Sequence, residues 1–395
     1  MSLLESNTNL KSDVSDFQPS YKVKRLQLTN FRNYSNLEIN VCSSCVVMIG
    51  PNGAGKTNIL EALSLLSPGR GIRRSKYDEL SKNGTNSGWA VSARLSAPGI
   101  EDDYLVGTGT ITELSGNTYS KRNLKINSEK KSLMSLSEIT CFSWLTPQMD
   151  RLFQGETVTR RRFIDRLVYT LDPNHGKRVT SYEKLIRERS NLLKSNNFSG
   201  EWLSAIENSI SEFGVAIAAG RKSMIAHLNS ELINKKGVFL GARLDIEGYL
   251  ENLLNHKPAI EVEDIFRDKL LNSRKTDAER GRTTSGPHRS DLIVYNLKNN
   301  LPASLCSTGE QKSLLIAIIL AEAKIISSIR GGAPILLLDE IAAHLDSEHI
   351  KSLFEELRML NSQIWITTTN KSLLEFIVPD FEVLNIINGT VEQIN

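Results

Sequence analysis

The spacing of hydrophobic and polar positions changes several times along the chain. Leu26 and Leu28 flank Gln27, and Leu37, Ile39 and Val41 alternate with Glu38 and Asn40. A period of two predicts half-buried strands, here a pair joined by the turn in TNFRNYSN. Val46–Ile49 is instead a continuous apolar run that ends at a glycine-rich segment, after which Ile59, Leu60 and Leu63 recur at helical spacing. That order reads as strand, turn, helix. Alternation returns at Trp89, Val91, Ala93 and Leu95 and continues through YLVGTGTI and NLKIN. A small antiparallel sheet is therefore expected after the first helix.

From about Thr157 to Arg280 the period is helical. Leu203, Ile206, Ile210, Phe213, Ile217 and Met224 follow a three-four spacing with one step through Gly220. This stripe reads either as a short coiled coil or as one face of a packed helix in a helical lobe. After Thr283 the strand-helix alternation resumes: DLIVYNL, a helix from Gly309, PILLLDE, another helix, and QIWITTT. Asn388-Gly389, set between strand-like runs, predicts a hairpin. The expected organisation is a polar, disordered tail over 1–20, two halves of one α/β head over 21–156 and 281–395, and a helical arm lobe inserted over 157–280.

Composition changes this picture little. The chain has 395 residues, ordinary apolar and charged fractions and a net charge of +3. It is a soluble globular composition, and any basic surface must be local. Four scattered cysteines suit a reducing cytosol. Cys42-Ser-Ser-Cys45 has the spacing of a redox or zinc pair, but no second ligand pair accompanies it, which favours a structural role. The first twenty residues lack the basic start and apolar run of a signal peptide. Leu314–Ala321, the longest apolar run, is too short to span a bilayer. A cytoplasmic protein without a membrane partner is expected.

Candidate chemistry begins at Gly50-Pro51-Asn52-Gly53-Ala54-Gly55-Lys56-Thr57, the pattern G-x-x-x-x-G-K-T. Its glycines let the backbone turn and aim N–H groups at phosphates, and the following helix adds its positive end. Lys56 is placed for the terminal phosphates of ATP and Thr57 for Mg²⁺. Ile335–Glu340 is an apolar strand ending in two carboxylates. Asp339 is expected in the Mg²⁺ shell, and Glu340 is expected to polarise the attacking water. Ser307-Thr308-Gly309-Glu310-Gln311 resembles the signature of ATP-binding-cassette ATPases, in which Ser307 and Gly309 would contact a γ-phosphate across a subunit interface. The same residues also fit a plain helix capping box between Ser307 and Glu310. Ala343–Asp346 fits the loop that crosses between two such subunits, with Asp346 a candidate for contact with the nucleotide. A phosphate loop and a signature of this kind make half a site each, so hydrolysis is expected to need an ATP-dependent homodimer.

From about Tyr21 onward the chain resembles the RecF recombination-repair family. The matching stretches are LQLTNFRNY, GPNGAGKTNILEAL, TPQMDRLFQGETVTRRRFID, YEKLIRERSNLLK, GRTTSGPHRSDL, STGEQKSLLIAIILAEA and LLLDEIAAHLD. The resemblance implies a phosphate-loop ABC-ATPase head with an antiparallel β subdomain and an inserted arm. It also implies an ATP-dependent DNA-binding dimer that acts in repair of gapped DNA, replication restart and SOS induction, with RecR and RecO as partners. The long gap between Thr57 and Ser307 fits a short arm better than a transporter subunit or a long coiled-coil ATPase. A break-repair head with a zinc hook would carry its cysteine pair at an arm apex, not before the phosphate loop.

Several positions depart from the family pattern. Gln148 stands where an acidic residue is usual, though Gln there matches a Mg²⁺-contacting catalytic loop of the superfamily. Glu156-Thr157 replaces a small residue and proline, and Ser290 stands where Asp is usual. Thr369 lies near the position of the superfamily's switch histidine, which implies slow hydrolysis: a timed clamp with weak, DNA-stimulated ATPase activity. Arg70, Arg73, Arg74 and Lys76, with Arg160, Arg161 and Arg162, are candidates for contact with the backbone of single- or double-stranded DNA, or else for ion-paired surface.

Overall fold

The computed structural model describes residues 20–82, 88–110, 121–195, 200–233, 237–343, 345–376, 381–387 and 389–394. The tail expected over 1–20 lies outside them apart from Ser20, as do His344 and Asn388. Strands β1 (Lys22–Phe31) and β2 (Tyr34–Asn40) form an antiparallel hairpin in which Leu26 faces Ile39 and Leu28 faces Leu37, all buried. After β3 (Cys45–Ile49) the phosphate loop enters helix α1 (Lys56–Ser64). Strand β4 (Ala90–Ser96) then returns to the free edge of β1, placing Ala93 beside Leu26 and Val91 beside Leu28. Strands β5 (Tyr104–Gly109), β6 (Asn123–Ile126) and β7 (Glu129–Lys131) complete one six-stranded sheet. The hairpin and the later antiparallel strands, expected as separate pieces, are thus a single layer. The cause is a shared apolar face that covers Ile59, Leu60 and Leu63 of α1.

A one-turn helix α2 (Leu136–Ile139) and strand β8 (Phe142–Leu145) precede the arm. There, α3 (Thr157–Leu171), α4 (His175–Ser195) and α5 (Gly200–Leu232) are followed by β9 (Ala242–Glu247), α6 (Tyr249–Leu253), α7 (Ala259–Asn272) and α8 (Arg274–Arg280). Ile206, Ile210 and Ile217 of α5 pack with Tyr182, Val262, Phe266 and Leu270. The stripe is therefore a helix face inside a lobe and not a coiled coil. At Gly220 a Cβ would lie 3.3 Å from Val168 and 3.4 Å from His175, so the step in the stripe marks the close approach of α3.

The segment is also not wholly helical. Strand β9 buries Ala242, Leu244 and Ile246 on one face and pairs antiparallel with β10 (Asp291–Asn296), which also pairs with β11 (Leu301–Pro302). Six residues of period two were hidden between longer helical stretches.

The core helix α9 (Thr308–Arg330) leads into β12 (Ile335–Asp339), followed by α10 (Ser347–Met359), β13 (Ile364–Thr368), β14 (Phe381–Ile387) and β15 (Thr390–Ile394). The central sheet has the order β15-β14-β3-β13-β12-β8, with every pair parallel except β14–β15. Hairpin pairing of Ile387 with Thr390 is present as predicted. Sandwiching explains the unbroken apolar runs. Ile335, Leu337 and Trp365 face the antiparallel layer and α1, whereas Leu336, Leu338, Ile364 and Ile366 face α9. Among the described residues no helix is long and apolar enough to cross a membrane.

Candidate nucleotide and signature sites

The phosphate loop leaves the carboxyl end of β3, and Asp339 ends β12; β13 lies between them. This is where open parallel sheets place their ligands. Each glycine has a distinct reason. Gly53 and Gly55 have φ of 82° and 115°, conformations that favour glycine. A Cβ on Gly55 would also sit 2.5 Å from Asn33 Nδ2 and from the Tyr34 hydroxyl. Gly50 is not a turning residue: its Cβ would fall 2.2 Å from the Ile386 carbonyl oxygen, so glycine lets β14 lie close. Pro51, Asn52 and Gly53 are exposed, whereas Ala54 and Gly55 are buried.

Lys56 is 5% exposed and donates to the carbonyls of Gly50 (2.7 Å) and Pro51 (3.1 Å), which holds its ammonium inside the loop. Glu340 Oε1 lies 3.7 Å away. Thr57 Oγ1 is 3.0 Å from Asp339 Oδ1. Adjacent oxygens around a Mg²⁺ ion with bonds of ~2.1 Å are about 3 Å apart, so this pair fits the ion. The helix start and the exposed turn Pro51–Gly53 fit the phosphates. Glu340 has φ of 49°, and its N–H donates to the carbonyl (3.2 Å) and Oγ1 (2.9 Å) of Thr367. Thr367 Oγ1 in turn donates to Asp339 at 2.6 Å. One threonine on the strand between the two motifs holds the Asp339 carboxylate and the Glu340 backbone, a role invisible in the apolar run IWITT.

Gln148 is exposed in the 3-10 turn Pro147–Arg151 that follows β8, next to the carboxyl end of β12. Ser307 and Gly309 are exposed at the start of α9, where no atom comes within 4 Å of a Cβ on Gly309. Ser307 and Glu310 form a reciprocal capping box, with the Ser307 N–H donating to Glu310 Oε2 at 2.9 Å. The cap orders the tip of α9 and leaves its outer surface exposed, so the cap and a cross-subunit phosphate contact can coexist. Asp346 is exposed and caps α10 through the His349 N–H at 2.9 Å.

The turn between β1 and β2 carries a role that sequence reasoning missed. Arg32 makes a two-pronged ion pair with Glu61 of α1 (2.8 and 2.7 Å), and Asn33 donates to the Ala54 carbonyl. Glu61 is fully buried and also receives Arg73 at 3.1 Å. Arg73 therefore braces the phosphate-loop helix. Arg161 is similarly engaged, donating to the Ser290 carbonyl at 2.9 Å, and Arg160 pairs with Asp291. Arg70, Arg74 and Arg162 are exposed. Desolvation of its guanidinium, then the positive charges of Arg162 and Arg70, lower the proton affinity of Arg74, against the opposing charge of Glu183.

The arm base holds its own ionic core. Asp165 binds Arg221 in two-pronged fashion (2.7 and 2.8 Å) and His175 at 2.8 Å. Ser290 is buried and donates to Glu251 at 2.7 Å, so the hydroxyl at this departure faces a carboxylate from α6. His288 Nε2 donates to the Thr283 carbonyl (3.0 Å), and its Nδ1 accepts from the Tyr182 hydroxyl (2.7 Å). Burial first, then the charges of Arg289 and Arg161, push His288 down to about 4. A histidine held neutral when folded stabilises the fold above its unfolded value of 6.5, and that contribution is lost as pH falls towards 4. The melting temperature is expected to fall across this window by the equivalent of about 3 kcal/mol at most. His288→Gln should flatten that limb; an unchanged thermal-melt profile would assign it to other groups.

The RecF/RecN/SMC N terminal domain family matches residues 22–390. The DNA replication and repair protein RecF of Mesorhizobium japonicum is 43% identical over 372 residues, covering 93% of this chain and 97% of that protein. RecF of Brucella suis biovar 1 is 42% identical over 374 residues, covering 94% and 96%. Among solved structures, the recombination mediator protein RecF-ATPrS in the RecFOR pathway aligns with a TM-score of 0.83 at 23% identity, covering 96% of this chain and 99% of that one. An Smc head domain from Pyrococcus furiosus aligns at 0.54 and 16% identity, covering 95% and 96%. The fold is that of an ABC-type ATPase head.

Proposed function

The chain belongs to the RecF family of DNA replication and repair proteins, and on that premise we propose that it is an ATP-dependent DNA clamp built as a homodimer. Each of two ATP–Mg²⁺ groups would be held by Gly50–Thr57 and Asp339 of one subunit and by Ser307 and Gly309 of the other. Glu340 and Gln148 position the attacking water, and Asp346 lines the crossing loop. The carrying observation is the separation of the two halves: Lys56, Thr57, Asp339 and Glu340 converge, whereas Ser307 hydrogen-bonds to Glu310 and presents an exposed helix tip. When bound, ATP–Mg²⁺ supplies the charge that draws the second tip onto the first loop.

DNA is held through its backbone by Arg70, Arg74 and Arg162, without base reading, at gapped or junction substrates in the cytoplasm, with RecO and RecR acting on the same DNA. Affinity should require ATP and fall linearly in log–log form with salt, by a slope of ~0.9 per phosphate neutralised. Arg162→Ala should lower that slope by about 1. Fluorescence anisotropy with gapped DNA at several salt concentrations tests it; binding indifferent to both ATP and salt would remove the clamp.

A further inference from the structure

Helix α9 carries a charged residue just inside its exposed tip. Lys312 is 4% exposed, on a helix whose Leu314–Ala321 stretch is buried on every side. Its ammonium donates to the Ala343 carbonyl at 2.8 Å and lies 3.7 Å from Asp150 Oδ2. Ala343 belongs to the loop that leaves Glu340 and ends at Asp346; Asp150 belongs to the turn that carries Gln148. One side chain thus touches both segments on which the hydrolytic candidates stand, from the helix whose tip meets the second subunit.

A buried ammonium is costly to desolvate, and an apolar side chain of equal length would fill the same space without that cost. What the lysine adds is a directed link. The tip itself is stiff, because the capping box orders Ser307 and Gln311 Nε2 donates to the Cys306 carbonyl at 2.8 Å. The helix behind it is packed all round, so a displacement of the tip moves Lys312 as part of a rigid body.

We propose that Lys312 is a positioning residue that transmits engagement of the α9 tip by the second subunit's nucleotide to the Glu340 loop and the Gln148 turn of its own chain. Each nucleotide's hydrolysis then waits on closure of the opposite interface. The inference rests on the shared-site reading above, and its test separates the two.

The full-length protein is assayed with ATP, Mg²⁺ and gapped DNA, and its dimerisation is followed by light scattering with a non-hydrolysable ATP analogue. Lys312→Met should keep KM and analogue-driven dimerisation within about threefold of the parent while kcat falls about tenfold or more, since ~1 Å misplacements of reacting groups carry losses of this size. Lys312→Arg, which restores a cation, should recover much of the rate. A merely structural residue would lower nucleotide affinity, dimerisation and rate together, and that result would overturn the proposal, as would parental kcat in Lys312→Met. Ser307→Arg is run alongside: if it dimerises, the shared-site reading fails, whereas a monomeric Ser307→Arg beside a parental Lys312→Met sinks the role of Lys312 alone. If Lys312→Met does not fold, Asp150→Asn at the partly exposed end of the link decides. A lowered kcat with dimerisation kept supports the link, and an unchanged kcat overturns it.

Discussion

Ser307→Arg is expected to yield a folded monomer that binds ATP with near-parental affinity, yet neither dimerises on ATP nor hydrolyses it. The phosphate loop of the same chain is built from β3, α1 and the β1–β2 turn, none of which contains Ser307. An arginine at the exposed tip of α9 adds bulk and charge where, on the proposed shared site, the second subunit's γ-phosphate would approach. It also removes the Ser307 cap, which is worth about 1 kcal/mol. Ser307→Ala is therefore the necessary companion: it loses the same cap without adding bulk, and should still dimerise. Size-exclusion with light scattering, read beside nucleotide titration, separates the two effects. Parental dimerisation and turnover in Ser307→Arg would return the tip to the role of a helix cap alone.

Lys56 and Glu340 are expected to fail in different ways, although only 3.7 Å separates them. Lys56→Ala removes the ammonium proposed to contact ground-state phosphates and the two hydrogen bonds that shape the loop. Nucleotide affinity should fall about tenfold to a hundredfold. Glu340→Gln keeps the backbone bonds to Thr367 and nearly the same volume but loses the carboxylate proposed to polarise water. Affinity should hold while kcat falls about 10²- to 10⁴-fold, with a longer-lived ATP dimer on DNA. Equal loss of affinity in the two variants would take Glu340 out of that role.

The phosphate loop, Asp339 and the α9 start were legible because their chemistry is local: a glycine pattern, an apolar strand ending in carboxylates, a Ser-Thr-Gly-Glu stretch ahead of an apolar helical run. The strands of the central sheet were legible because burial on both faces leaves an unbroken apolar run. Thr367 was not, since its importance comes from lying between β3 and β12 in space, and parallel neighbours are distant in sequence. Glu61 reads as one more polar residue on α1 until Arg32, 29 positions earlier, folds onto it. Strand β9 was lost because ARLDIE is short and sits among longer helical signals. The arginines show the same limit from the other side: charge is visible in the sequence, but only the fold shows that Arg73 and Arg161 brace neighbours.

The central claim is that this chain holds two halves of different catalytic sites. Mixing Ser307→Arg with Lys56→Ala protein tests it most directly, because a heterodimer pairs the intact phosphate loop of the first with the intact α9 tip of the second. The opposite interface carries both defects, so one working site per heterodimer is the most that can form. ATP turnover on gapped DNA should be near zero for each variant alone and should appear on mixing, with its maximum near equimolar protein. A mixture as inactive as its components at every ratio would contradict the account.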